Sequence, residues 1–513
     1  MDNVELSLFS NRIAAICDEM GAVLRRVAFS PNIKDRLDFS CAVFNTEGEL
    51  CAQAAHIPVH LGSMAFAMAE VVSAVDWHAG DLVVLNDPYM GGTHLPDVTV
   101  ISPVFVGNKI MGFVVNRAHH ADIGAESPGS MPISSSLLEE GLVIPPTKLM
   151  TARDMDQNVL AGILSQLKNA EESMGDFNAQ ISANHRGVAR LEELIESIGP
   201  SSYQQGLHAL NDYAAKISRT ALMDIPDGEY AFTDMMDDDG QGHQDIVIKV
   251  KLSVKDGEIK ADFTGTAAQV KGNINCPLSV VAAAVYYVFR CLMPAQTPAC
   301  AGSFRSIKIS APAGSLLNAQ YPSAVAAGNV ETSTRVVDVV MGALAKAIPG
   351  KIPAASHGSM NNLAMGYEGD SKKPAWNYYE TIGGGMGAGH HGGGQNAVQT
   401  HMTNTLNTPI EVLESRYPLR IKRYQIRQGS GGDGERKGGN GIIREYEFLS
   451  SAQFTLLTER RAHSPWALGT AGSGMRGVNV FNQQTIASKV SSAVKAGDVL
   501  TIETPGGGGW SAK

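Results

Sequence analysis

Residues 86–124 read NDPYMGGTHLPDVTVISPVFVGNKIMGFVVNRAHHADIG. Two apolar, β-branched runs, Val98 to Val106 and Ile110 to Arg117, flank Gly107-Asn108, the pattern of an antiparallel hairpin. If Val106 pairs with Ile110 across a three-residue turn, Asp97 faces His119 with Cβ atoms ~5 Å apart. A two-residue turn shifts the register by one and leaves the two as diagonal neighbours. His94 stands three residues before Asp97, in a loop stiffened by Pro96. Two imidazoles and one carboxylate therefore gather at the open end of one hairpin. That is the ligand set of open Zn, Mn or Fe sites. A His-Asp pair making ordinary hydrogen bonds fits the same spacing.

Around this hairpin the chain predicts an α+β fold of largely antiparallel sheets, helical middle segments and a β- and glycine-rich C-terminal part. Phe9, Ile13, Ile16, Met20, Val23, Leu24 and Val27 recur at steps of three and four, a helix. Phe39 to Phe44 and Leu50 to Gln53 flank an Asn-Thr-Glu-Gly turn. Residues from about 152 to 221 turn helical, with a stop at Gly199-Pro200. Ile246 to Val254 and Ile259 to Phe263 form a second hairpin around Lys255-Asp256-Gly257, followed by helices at Leu278 to Cys291 and Thr334 to Ala347. Strands return at Ile421 to Ile426, Gly441 to Phe448, Phe454 to Leu457 and Val499 to Glu503. At roughly 150 residues per domain, the 513 residues suggest about three units, and the pattern divides them at 1–222, 223–400 and 401–513. The first carries the candidate metal site.

Composition excludes several classes. The net charge of −10, without long single-sign blocks, argues against nucleic acid or an anionic membrane as partner. Six cysteines without a CxxC pair fit a reducing cytoplasm better than a disulfide framework. The N-terminus shows no signal-peptide pattern, and the longest apolar run, Leu278 to Phe289, is too short to span a bilayer. No GxxxxGK[ST], GxSxG or HExxH occurs, so the commonest way of holding ATP is missing. Gly429-Ser-Gly-Gly-Asp-Gly434 matches GxGxxG but leads into no helix.

Other residues admit more than one role. Asp35 and Asp38 lie among Lys34 and Arg36 just before a strand; a solvated charged turn is one reading, an inward Asp38 the other. His56 and His60, with Pro58 between them, read as structural. Glycine is abnormal at 54 residues, and eight of the twelve residues from Gly383 to Gly394 are glycine around His390-His391. Tight turns and direct contact with an anion or metal both remain open for that cluster.

At NDPYMGGTHLPDVTV and RAHHADIG the sequence resembles the hydantoinase B family: the B subunits of N-methylhydantoinase and other ATP-dependent lactamases, and the C-terminal half of 5-oxoprolinase. The match continues through RLDFSCAVFNTEGEL at 36–50, HIPVHLGSM at 56–64, EESMGDFNAQISAN at 171–184, AVAAGNVETS at 324–333, IGGGMGAGHHGGG at 382–394 and the terminal GDVLTIETPGGGGW. The resemblance implies a separate A-type partner, an actin-like ATPase that uses ATP and Mg to phosphorylate the substrate's amide oxygen, in an α2β2 or larger hetero-oligomer. The related acetone carboxylase catalytic subunit looks similar here, and its metal ligands fall on His94, Asp97 and His119. The implied cofactor is one divalent ion, Zn, Mn or Fe. Asp38, in the DFSCA motif, resembles an active-site carboxylate of the lactamase branch, and Asp38 or His120 is expected to take a proton from water. The implied function is hydrolysis of a hydantoin, 5-oxoproline or lactam ring; a ketone carboxylase subunit and a non-catalytic assembly subunit are the alternatives.

Overall fold

The computed structural model describes residues 1–55, 57–60, 62–371 and 373–512. His56 lies outside the described residues. The described residues form a mixed α+β structure with four sheets, three of them wholly antiparallel and one with a single parallel pair.

A capping box starts the first helix, Asn3–Val27: the Asp2 carboxylate accepts the Val4 and Glu5 N–H groups, and Glu5 reaches back to the Asp2 N–H. Its apolar stripe, Phe9, Ile13, Ile16, Met20 and Leu24, packs with the helix Ala170–Ile198 on one face of a seven-stranded sheet. The strands are β1 (Phe39–Phe44), β2 (Leu50–Ala55), β3 (Leu82–Leu85), β4 (Asp97–Val106), β5 (Lys109–His119), β6 (Thr147–Thr151) and β7 (Asp154–Met155), in the order β2-β1-β5-β4-β3-β6-β7. Strand alternation sorts the side chains. Cys41, Val43, Val114 and Ala118 meet the two helices, while Ala42, Phe44, Ile101, Phe113 and Val115 meet the helix Ser63–Ala74.

The β4–β5 hairpin combines the two registers drawn from sequence, the shorter at its tip and the longer, with Asp97 facing His119, along the rest. Gly107 and Asn108 form a two-residue turn, with Gly107 at φ +59, but a bulge then skips Met111, so Val104 pairs with Gly112. The extra residue restores the longer register, and Asp97 stands opposite His119. Gly112 has φ +151 and packs its backbone against the Phe44 carbonyl, leaving no room for a side chain.

The Asp256-Gly257 turn, with both residues at positive φ, joins Gln244–Lys255 to Glu258–Asp262. Gly228–Asp238, not foreseen as a strand, pairs along the whole of Gln244–Lys255. Helices Leu278–Arg290 and Ser333–Ala347 cover this sheet through one large apolar core. Asn362–Tyr367 and Trp376–Glu380, from before residue 400, share a sheet with Ala452–Leu457 and Lys489–Val494, from after it. Among the described residues, no helix is long and apolar enough to cross a membrane.

A tight turn, Gly389 to Gly392 with reciprocal backbone hydrogen bonds, carries His390 and His391, but most of the clustered glycines lie outside turns. Apart from Gly429 at φ +78, none of the glycines in 383–394, 429–441 or 506–509 has a positive φ. They are extended segments lying backbone against backbone: a Cβ on Gly385 would meet the Gly439 carbonyl at 1.9 Å, one on Gly438 the Gly507 carbonyl at 2.0 Å, and one on Gly507 the Met386 carbonyl at 2.1 Å. Their N–H groups are used between segments, Gly385 to Pro505, Gly394 to Lys437 and Gly432 to Gly507. His390 and His391 are exposed, with the His390 ring edge-on to Trp510.

Candidate metal centre

The face of the seven-stranded sheet opposite the two long helices carries the polar end of the hairpin. Asp97 and His119 form a direct cross-strand pair, and His94 returns to them from the loop before β4. One ligand atom from each of His94, Asp97 and His119 lies within 4.8 Å of the other two, and all three residues are buried. The His94 Nδ1 donates a hydrogen bond to the Ala326 carbonyl at 3.2 Å, which directs Nε2 at Asp97 Oδ1, 3.4 Å away. His119 Nδ1 is 3.5 Å from the same oxygen. The Nε2 of His119 has no hydrogen-bond partner, and that of His94 has only its approach to Asp97 Oδ1.

The two Asp97 oxygens divide the work. Oδ1 faces the two ligand-type histidines. Oδ2 accepts the Thr93 hydroxyl, lies 3.4 Å from His60 Nε2, and accepts the Asn329 side-chain N–H at 3.4 Å. His60 in turn meets the Ser40 hydroxyl through Nδ1 at 3.0 Å. Burial penalises the Asp97 charge, but His94 and His60 outweigh it and hold the carboxyl well below its usual range. Burial likewise opposes a proton on His94, yet the Asp97 charge and hydrogen bond raise its pKa. His119 is lowered, mainly by burial. A field that favours a proton between His94 and Asp97 favours any small cation there. The donor set, two imidazoles and a carboxylate oriented by second partners, fits a divalent ion.

Asp38 joins this face by register. Phe39 pairs with Ala118, so Asp38 stands beside His119, and the His119 N–H donates to the Asp38 carbonyl at 3.0 Å. Arg117, one step along β5, buries its guanidinium on the same face, donating to Thr99 at 2.8 Å and Ser63 at 2.9 Å; burial lowers it to about 10. His120 goes the other way. It follows His119, alternation turns it towards the long helix, and its Nε2 meets Gln180 at 2.9 Å while its ring packs on Phe177. The structure does not bring it to the cluster, which corrects its expected role beside Asp38.

Several participants were not foreseen. His60, read as structural, touches Asp97. The Tyr379 ring stacks on His119 at 4.6 Å and 10°, and its hydroxyl donates to Asn362 at 2.6 Å. Arg36 reaches across to the Tyr379 carbonyl at 2.7 Å and to Thr381 at 3.1 Å. Asn329 and Glu331 come from a π-helical turn, Gly328–Thr332. The available signal was polar residues, GNVETS, inside an otherwise apolar run that ends in a helix.

A family model described as hydantoinase B/oxoprolinase matches residues 2–513. The chain belongs to that family. An uncharacterized protein of Methanocaldococcus jannaschii is 39% identical over all of this chain and 91% of its own length. A Pseudomonas protein whose name assigns it as a D-/L-hydantoinase B subunit is 31% identical over 99% of this chain and 90% of its own. The 5-oxoprolinase 1 of Arabidopsis thaliana is 37% identical over the whole chain, which spans only 42% of that longer protein. Among solved structures, the ATP-dependent caprolactamase from Pseudomonas jessenii superposes with a TM-score of 0.91 at 25% identity, covering 100% of this chain and 91% of that one. Acetone carboxylase shares the fold with a TM-score of 0.86 at 16% identity, covering 98% of this chain and 76% of that one.

Proposed function

We propose that this hydantoinase B/oxoprolinase family member is the B subunit of an ATP-dependent cyclic-amide hydrolase, acting on a hydantoin, 5-oxoproline or lactam ring. The observation that carries the reading is the buried His94–Asp97–His119 triad with the unpartnered Nε2 of His119, in a fold it shares with a caprolactamase. ATP and Mg are used by a separate A-type ATPase subunit, with which the chain forms an α2β2 or larger assembly.

An amide carbon is a poor electrophile and its oxygen a poor leaving group. Phosphorylation of that oxygen by the partner solves both, because it makes an imidate-like carbon carrying phosphate. His94, Asp97 and His119 would hold one divalent ion, Zn, Mn or Fe, which when bound lowers the pKa of a coordinated water towards ~7. Asp38, on the same face beside His119, takes a proton from the attacking water. Thr93, His60 and Asn329 keep the Asp97 carboxylate turned so that only Oδ1 faces the ligand side. Arg117 adds a buried positive charge next to Asp97, suited to a phosphorylated substrate.

The test is reconstitution with the A-type partner, followed by ATP hydrolysis and product analysis on hydantoin, 5-oxoproline, caprolactam, and acetone with bicarbonate. Ring opening of a cyclic amide coupled to phosphate release is expected. Turnover of acetone alone would replace the hydrolase with a carboxylase, and no substrate-dependent turnover would leave an assembly role.

A further inference from the structure

Ring opening needs a second device, and the inference that follows rests on the hydrolase reading above. Water adding to the O-phosphorylated carbon gives a tetrahedral centre bearing a hydroxyl, the phosphate and the ring nitrogen. If the C–O bond to phosphate breaks, the carbonyl re-forms with the water oxygen, phosphate leaves with the original amide oxygen, and the ring stays closed. ATP is then consumed without product. Productive collapse breaks the C–N bond instead, and nitrogen leaves only if it receives a proton as that bond breaks. The acyl phosphate so formed is hydrolysed by a second water.

Glu331 is a buried acid tied by contacts to the triad. A closed circuit of contacts joins it to the triad from two sides. On one side the π-helical turn that carries Glu331 also carries Asn329, whose side-chain N–H reaches Asp97. On the other, Glu331 Oε1 accepts the Asn362 side-chain N–H at 2.7 Å, Asn362 accepts the Tyr379 hydroxyl, and Tyr379 stacks on His119. Oε1 also accepts the Met360 N–H at 3.0 Å. Oε2 is buried and has no partner, and neither has Asn329 Oδ1. Because Asp97 can only accept, Asn329 must face it with nitrogen, which leaves that amide oxygen turned elsewhere.

We propose that Glu331 donates the proton to the ring nitrogen as the C–N bond breaks. Its O–H bond breaks, an N–H bond forms, the C–N electron pair goes to nitrogen, and the hydroxyl of the tetrahedral centre, becoming a carbonyl, releases the proton that restores Glu331. Burial, then the neighbouring Glu459 carboxylate, push Glu331 up to about 8 against a hydrogen bond from the Ser359 side chain and the charges of Lys489 and Arg461, so it carries a proton at neutral pH. Of the other raised acids nearby, Glu459 is paired with Lys489 at 2.6 Å, and Glu140 is pushed up to about 7 by burial. It accepts the Val325 and Ala326 N–H groups and the Ser134 hydroxyl, behind the Nδ1 side of His94 and away from the ligand nitrogen.

The experiment uses the complex with its ATPase partner in H2¹⁸O, on 5-oxoproline, hydantoin and caprolactam. Glu331→Gln preserves shape and the Oε1 acceptor. Ring-opened product per phosphate should fall on the order of 10²-fold, phosphate release should continue, and recovered substrate should gain ¹⁸O. A product-to-phosphate ratio equal to wild type overturns the role, as does a loss of both together with no ¹⁸O in the recovered ring. If the variant does not fold, wild type alone decides. Product per phosphate should drop and ring ¹⁸O rise as pH passes through about 8; a flat ratio overturns the proposal. Failure of wild type on all three substrates removes the hydrolase reading and this role with it, a result distinct from an unchanged ratio in the variant.

Discussion

Asp38 and His357 show how single side chains divide between chemistry and packing. Asp38 opens β1 on the ligand face and keeps 7% of its surface exposed. No ion pair holds it in place among the described residues, so Asp38→Asn should change the melting temperature little. It should nonetheless lower ring opening on the order of 10²-fold in steady-state assays with the partner. Near-native rates, or unfolding, would remove the role of base. His357 is buried with both ring nitrogens unpartnered, and burial, helped by the charges of His401 and Arg461, lowers its pKa from 6.5 to about 3. The folded state therefore resists a proton that the unfolded chain accepts, so stability is full above about 6.5 and is lost as pH falls towards 3. The loss can reach ~1.4 kcal/mol per pH unit inside that window. Denaturant titrations at several pH values should show a shallower acid limb in His357→Gln than in wild type; parallel limbs would reject the assignment.

The glycine segments make the same division at the level of elements. Because they are crowded by carbonyls rather than held at positive φ, their tolerance depends on the neighbour. Gly385→Ala, with its Cβ at 1.9 Å from the Gly439 carbonyl, should cost about 3 kcal/mol by thermal or denaturant unfolding, whereas Gly392→Ala meets nothing within 4 Å and should be close to neutral. Equal effects would contradict the packed-backbone account. Sequence showed that these glycines were special but not why, since φ and backbone approach are tertiary properties. The hairpin was more legible, because β-branched runs around Gly107-Asn108 encode strand, turn and partner locally. Only the bulge at Met111 was hidden, and it happens to deliver Asp97 to His119. His120 was misplaced for want of one step of strand alternation. Gly228–Asp238 was missed because its acidic residues blur the apolar alternation.

Across the whole molecule, the triad comes from residues 94–119, and besides the nearby Thr93 and His60 several of its supports come from residues 326–405. Asn329 reaches Asp97, Tyr379 covers His119, and Arg36 ties the N-terminal segment to Tyr379, Thr381 and Thr405. Contacts at sequence separations of more than two hundred residues leave no local pattern, which is why the ligand set could be read and its surroundings could not. The same contacts mean that the centre exists only in the folded whole. This centre should bind a divalent ion, and elemental analysis of the purified protein tests it. About one equivalent of Zn, Mn or Fe per chain is expected in wild type and in His120→Ala, and near none in His94→Ala or His119→Ala. Metal content unchanged in the His94 and His119 variants would contradict it.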